Sequence, residues 1–518
     1  MPRLSAGTAT MAATVLIAAA FLLGILVGPL VRPVSGEPGT SISPGESAPG
    51  AGAPSASPRP PEADYVGSLS VTPATGPIGS QATVVGAGFE PGRELEVIWQ
   101  AYSGEWVIDD AAEAGANYKG RTYAEDDVPL GSVTTDAAGA FSTSFTVPDG
   151  FGFTHNVQVR EGAIVRNQTA FSVEMEVSVS PSNGPVGTPI TIDVRGIGVS
   201  PLHSSWELTY DNRFTGWMSA VTTDGHARFT VPATGAPGPH VLKILHGSFT
   251  FPYLNMQQSP DPGRPTFTSI FTVTPGEPVL PPPPGGQWDP VVSGSEPTDG
   301  DGPTIWTDLL ETIVGDTVTL HGRDLPAGAS LKVGWLTQVG VDTAIIGGTG
   351  EDRPTADWDL GTAQIGGDGT LAWEFEVPAD KGGWHAVSLM DGETVVAATN
   401  IRVRPMAEPL AVTQVRVGEV LTLHVTGVDD TDTGKIMMLV YDNGLLGYSC
   451  SVTGQGDITI YLPAAGEPGW HFVDLYPGIY KGEDSPGTYN YRIPQLTYQD
   501  DHPGETMTAF RFAFEIVP

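Results

Sequence analysis

The sequence predicts an all-β chain of tandem two-sheet sandwiches, four of them arranged as two A-B pairs, behind an N-terminal membrane-spanning segment. Three observations predict it. Glycine (66) and proline (47) are frequent along the 518 residues. Short Val-, Thr- and Ser-rich stretches lie between them, as strands joined by turns require. The blocks of one repeat return four times. A chain of this length holds about three to five domains of ordinary size.

Residues 11–31, MAATVLIAAAFLLGILVGPLV, carry no charge and match the roughly 20 residues needed to cross a bilayer core. Signal-peptide apolar regions are shorter, about 7 to 15 residues, and no A-x-A site follows. Residues 1–32 are therefore expected to be a retained signal-anchor. Cleavage near Val34-Ser35-Gly36, giving a signal peptide and a secreted form, is the alternative. Residues 33–65 are Pro-, Gly- and Ser-rich, the composition of a flexible tether. The expected topology is single-pass in the cell membrane, with the bulk of the chain extracytoplasmic.

The repeats run over 66–174 (A), 175–275 (B), 303–405 (A′) and 406–518 (B′), with the Pro-rich segment 276–302 as the expected hinge between the pairs. The first two open on Pro73, Gly76-Pro77 and Gly79, and on Pro181, Gly184-Pro185 and Gly187. The later two open on VGDTVTLHG (314–322) and VGEVLTLHVTG (417–427). Apolar residues recur there at every second position, the period of a half-buried strand. Each unit then carries a Gly turn, an alternating strand and a closing proline: 139–148, 225–232, 369–378 and 456–463. Proline ends the strand because it has no N–H for the ladder. A histidine follows in every unit, His155, His240, His385 and His471, at spacings that alternate as A-B-A′-B′. Tyr210-Asp211-Asn212 of B returns as Tyr441-Asp442-Asn443 of B′.

The P-x-x-G-P-x-G lead, the alternating strand and the G-x-G-F that closes it in A (Gly86-Ala87-Gly88-Phe89) resemble the IPT/TIG type of immunoglobulin-like repeat found in bacterial cell-surface proteins. Units A′ and B′ lack that lead, so the resemblance rests mainly on 66–275. It implies tandem immunoglobulin-like β-sandwiches with an exported binding, adhesive or spacer role on a prokaryotic surface.

Chemistry is harder to find. The 24 basic and 59 acidic residues give a formal charge of −35, which repels nucleic acid and anionic lipid. With one cysteine, Cys450, the chain has no intramolecular disulfide. No H-E-x-x-H, G-x-S-x-G, phosphate loop or C-x-x-C is present. No catalytic residue and no enzymatic activity are assigned. The four repeat histidines precede apolar residues two and four positions on, which places each ring inward at a strand start as framework rather than ligand. Trp99, Trp206 and Trp335 read as core indoles, and Trp384 and Trp470 as packed against the histidine turn. No cofactor is expected, with calcium as the one candidate. Asp429, Asp430 and Asp432 lie in one short loop, and a hard cation takes several oxygens from such a loop.

Recognition is expected in the loops that the units do not share. These are 100–128 with Trp106, Tyr118 and Tyr123, 338–360 with Trp358, 251–267, and 478–506 with Tyr480, Tyr489, Tyr491 and Tyr498. Clustered tyrosines give contact area at small entropic cost. The expected partners are another surface protein or a glycan, with the membrane through 11–31 and no nucleic acid. The function expected is a membrane-tethered structural and binding protein. A calcium-stiffened spacer or adhesin, and an accessory region of an extracellular hydrolase, are the alternatives.

Overall fold

Alternation in the sequence becomes alternation across sheets. In Gln81–Ala87 the residues Ala82, Val84 and Gly86 are buried and their neighbours face outward, and Thr317–Arg323 and Val420–Thr426 repeat the pattern. The computed structural model describes residues 65–109, 117–199, 204, 206–248, 251–258, 264–284, 292–298, 302–339, 355–429, 436–451, 454–480, 492–503 and 508–518. All fall in the compact unit Ala53–Pro518, whereas Met1–Gly52 lies outside the described residues. The expected anchor at 11–31 is therefore also outside them. Among the described residues no helix is long and apolar enough to cross a membrane.

The chain is all-β, and its sheets come in four repeated pairs. In A, a three-stranded sheet orders Ser68–Thr72, Gln81–Ala87 and Phe141–Thr146. Its companion orders Thr75–Pro77, Ile164–Glu174, Phe153–Glu161, Glu94–Asp109 and Asn117–Thr134. The short strand after the first turn pairs in parallel with the last strand of the unit, and every other pairing is antiparallel. A′ repeats this three-plus-five arrangement; B and B′ are three-plus-six. In A, Val84 and Phe145 of one sheet share a buried cluster with Val97, Trp99, Val157 and Phe171 of the other. Trp99, Trp206 and Trp335 are core indoles, each exposed by 2% or less.

The A-B joint is built twice in the same way. Gly152 N donates to Ile197 O at 3.0 Å and Ile197 N to Gly225 O at 3.0 Å. In the second pair Gly382 N donates to Val428 O at 3.1 Å and Val428 N to Gly456 O at 3.0 Å. The backbones approach so closely that a Cβ on Gly152 would stand 1.7 Å from Gly196 O, and one on Gly382 2.1 Å from Gly427 O. These glycines are demanded by packing between units, where only a residue without a Cβ fits.

The pairs are not hinged freely at 276–302. Ile436, Met438, Val440 and Tyr476 of B′ belong to the same buried cluster as the B core. Asn443 Nδ2 donates to Pro232 O at 2.7 Å and to Thr234 Oγ1 at 3.1 Å, while Thr215 Oγ1 donates to Asn443 O at 2.7 Å. A linker between two pairs that share a core, here through B and B′, cannot swing without exposing that core.

Candidate functional site

Of the insertion expected as a loop at 100–128, residues 100–109 and 117–128 are instead the outer part of an antiparallel pair of strands, Glu94–Asp109 with Asn117–Thr134, in register from Glu94↔Thr134 to Asp109↔Asn117. Backbone pairing across the two strands satisfies groups that a loop would leave to water. The hairpin runs out from A onto B. A Cβ on Gly104 would lie 2.3 Å from Val221 O, Tyr123 meets the Phe151 ring edge-on at 5.4 Å, and Trp106 meets Trp217 edge-on at 6.3 Å. Arg121 stands 6.0 Å from the centre of the Trp217 ring and donates to Ser204 O at 3.4 Å. Burial raises the Tyr123 hydroxyl above its ordinary pKa.

An arm of B′, residues 492–501, arrives at the same place. Its strand Arg492–Pro494 pairs with the end of Gly469–Tyr480. Beyond it Leu496 N donates to Trp217 O at 2.8 Å, and Gln495 forms a parallel bridge with Trp217. Ser219 N donates to Thr497 Oγ1 at 3.0 Å. Asp501 closes the junction. Its Oδ2 accepts from Val221 N at 2.8 Å, and its Oδ1 accepts from Thr222 N at 2.9 Å, Thr222 Oγ1 at 2.8 Å and Trp106 Nε1 at 2.9 Å. One carboxylate of B′ thus holds a turn of B and the hairpin of A. Asp380 does comparable work in the second pair. It accepts from Trp335 Nε1 at 2.7 Å and Thr337 Oγ1 at 2.9 Å within A′, and from Gln455 Nε2 of B′ at 2.6 Å.

Beside the arm, B′ carries a buried polar group that B lacks. Arg511 Nε donates to Asp474 Oδ1 at 2.5 Å and Arg511 Nη2 to Tyr476 Oη at 3.4 Å. Tyr498 meets Tyr476 edge-on at 6.0 Å. Burial pushes the Asp474 carboxyl above its ordinary value, with Arg511 pulling the other way, and pushes the Tyr498 hydroxyl up to about 12. For Arg511 the effect of burial is outweighed by Asp474, which holds it as a cation. The two B residues at these places are Lys243 and Thr268, paired in register.

Of the sequence-predicted binding residues, Trp106, Tyr123 and Tyr498 are drawn into contacts between and within units rather than left as exposed loop side chains. Trp358 faces Trp335 in register and packs on the A′ core. Tyr118 and Tyr480 occupy strand positions, with their side chains outside the described set; Tyr489 and Tyr491 lie wholly outside it, as do Asp430 and Asp432. Asp429 Oδ2 lies 3.3 Å from where a Cβ of Gly383 would stand, beside the A′-B′ joint. Among the described residues no group of three or more His, Cys, Asp or Glu side chains is placed to hold a metal ion. Trp384 is 51% exposed. It precedes the inward His385 on a strand, so alternation carries it to the open face.

The repeat histidines form two kinds. Each Nε2 faces the carbonyl four residues earlier: Phe151, Ala236, Lys381 and Glu467, at 2.8, 2.8, 3.0 and 2.9 Å. In A and A′ the ring stacks on a tryptophan at 4.5 Å and Nδ1 faces a second carbonyl. In B and B′ the ring lies by a tyrosine and Nδ1 meets the aspartate of Tyr-Asp-Asn at 2.6 Å. Burial lowers the pKa of His155 and His385. Burial also acts on His471, but Asp442 outweighs it and raises the value.

Gly225 and Gly456, which accept the joint bonds, recur in the sequence as the Gly turns of B and B′, whereas Asp501 lies in an insertion with no counterpart and carries no sequence signal. No protein-family model and no curated protein matches the chain. Among solved structures, a protein from Corynebacterium diphtheriae described as membrane anchored is similar at TM-score 0.17 and 10% identity, over 87% of this chain and 91% of that one. The sporulation control protein Spo0M from Bacillus subtilis is similar at TM-score 0.15 and 11% identity, over 40% and 90%. A β-glucuronidase of glycoside hydrolase family 2 scores 0.17 at 9% identity, over 66% and 38%. At such scores these likenesses carry no inference about function.

Proposed function

We propose that the chain is a membrane-tethered, extracytoplasmic structural and binding protein of a prokaryotic surface. Residues 11–31 hold it at the membrane and 33–65 space it outward. Four immunoglobulin-like sandwiches, of the IPT/TIG type in A and B, form an exposed body that contacts another surface protein or a glycan.

The observation that best supports this reading is the doubly built joint together with the Asp501 junction. Units fixed to one another hold their outward faces in a constant geometry, which lowers the ordering cost of binding a partner. The formal charge of −35 suits a body that must stay soluble at a surface.

Two fusions test the reading. A C-terminal alkaline phosphatase should be active and a C-terminal cytoplasmic-folding fluorescent protein dark, while the chain resists carbonate extraction until it is truncated before residue 33. Fluorescence of the second fusion, or release of the intact chain by carbonate, overturns it. Cross-linking on intact cells, followed by recovery of the chain, then identifies the protein or glycan partner.

A further inference from the structure

The strand Trp206–Tyr210 is buried along its whole length. Trp206, Leu208 and Tyr210 belong to the B core, so Glu207 projects from the other face of the sheet. Its register partners there are Trp217 and Leu245. Glu207 is 0% exposed, and neither carboxyl oxygen has a hydrogen-bond partner. Gly247 lies so near that a Cβ on it would come within 2.3 Å of Glu207 Oε1.

The repeat explains what is unusual here. Superposing the two Tyr-Asp-Asn turns sets Glu207 against Met438 and Gly247 against Gly478. A Cβ on Gly478 would meet the Met438 side chain at 2.5 Å, the same crowding in the same slot. The place is built for an apolar side chain, and in B it contains a carboxyl group. Trp217, the cross-strand neighbour of Glu207, is the residue that the arm and the hairpin cover. It clusters with Ile493 and Trp106 and accepts Leu496 N.

We propose that Glu207 is a proton-gated latch: the arm 492–501 and the A hairpin close over Trp217 while Glu207 is protonated, and loss of the proton opens them. A carboxylate in this slot meets no donor, and an unpaired charge in an apolar interior is strongly disfavoured. Lifting the cover over Trp217 gives it water. The charged or titratable groups on the surrounding elements include Arg213 on the Trp217 strand, His240, Lys243 and His246 on the Leu245 strand, Tyr253 on the segment 251–258 beside the Glu207 strand, Glu105, Arg121 and Tyr123 on the hairpin, Tyr498, Asp500 and Asp501 on the arm, and His502 just past it. None of them shifts Glu207; burial alone pushes its carboxyl well above the ordinary 4.5. The closed form therefore holds the proton more tightly than the open form. Closure is fully favoured below 4.5 and is progressively lost as pH rises from there through the raised value. Within that window one proton leaves per opening, so the opening equilibrium grows by up to about tenfold per pH unit.

Hydrogen exchange on the full-length chain in detergent tests the latch. Protection factors, corrected for the intrinsic pH dependence of exchange, are read for amides 217–222 and 493–501 across the acid-to-alkaline range. In the wild type protection should fall as pH rises, whereas Glu207→Met and Glu207→Gln, both retaining the wild-type circular dichroism, should give flat profiles. A wild-type profile that is itself flat, or a slope that persists in Glu207→Met, overturns the proposal. So does a slope that only His502→Gln abolishes.

Discussion

Trp106 Nε1 donates to Asp501 Oδ1 at 2.9 Å across 395 positions of sequence, and the same carboxylate holds Val221 and Thr222 of a third unit. Asp501→Ala would leave two buried or half-buried amides, a hydroxyl and an indole without their acceptor. Stranded donors cost about 1 to 3 kcal/mol each before relaxation, so the junction should lose roughly 3 kcal/mol or more. Trp106→Phe removes one of these bonds and should cost about 1 to 2 kcal/mol. In a double-mutant cycle read by urea denaturation the two losses should fall short of additive, because they share a bond.

The joint glycines give a sharper contrast. Gly152→Ala and Gly382→Ala force a Cβ onto a carbonyl of the next unit, and each should destabilise its pair by about 2 kcal/mol or more. Gly447→Ala meets nothing within 4 Å and should stay within about 0.5 kcal/mol of wild type. Small-angle scattering should show the first two variants extended and the third unchanged.

Glu207→Met places in B the residue that B′ already carries in that slot. Removing a buried carboxyl with no partner should raise stability by about 1 to 3 kcal/mol at neutral pH. Calorimetry against wild type checks the direction, and a lower melting temperature would mean that Glu207 finds a donor in solution.

The histidines should divide on titration by NMR. His471, held up by Asp442, should titrate above the ordinary 6.5, and His155 and His385, held down by burial, below it. For His471 the folded state binds the proton more tightly. Its contribution is complete below 6.5 and is lost as pH rises through the folded value. His155 and His385 act oppositely: their contribution is complete above 6.5 and is lost as pH falls through their lowered values. Acid should therefore loosen A and A′ first, and mild alkali B′.

Calcium provides a further test. A site at Asp429, Asp430 and Asp432 with an affinity of about 10⁻³ M would add roughly 1.4 kcal/mol at about 10 mM calcium. Under the reading proposed above, stiffness comes from the glycine joints, so the melting temperature should not respond to calcium. An increase that the triple Ala variant abolishes would establish the calcium-stiffened spacer instead.

Local properties were legible in the sequence because they repeat locally. Period-two alternation set the strands, glycine and proline set their ends, and four copies of one histidine slot marked framework. His155 and His471 are buried in that slot at 2% and 9% exposure.

The sequence by itself determined the all-β character, the strand periods and the core tryptophans, since burial of alternate side chains is a property of each strand and its partners. Only the tertiary structure decided that strands within 100–109 and 117–128 pair and lie on B, that Asp501 joins three units, and that Glu207 lies in a methionine's place. Those features depend on which faces of separate units meet. Residues hundreds of positions apart set that pairing through shape and unpaired donors, and no local period records it.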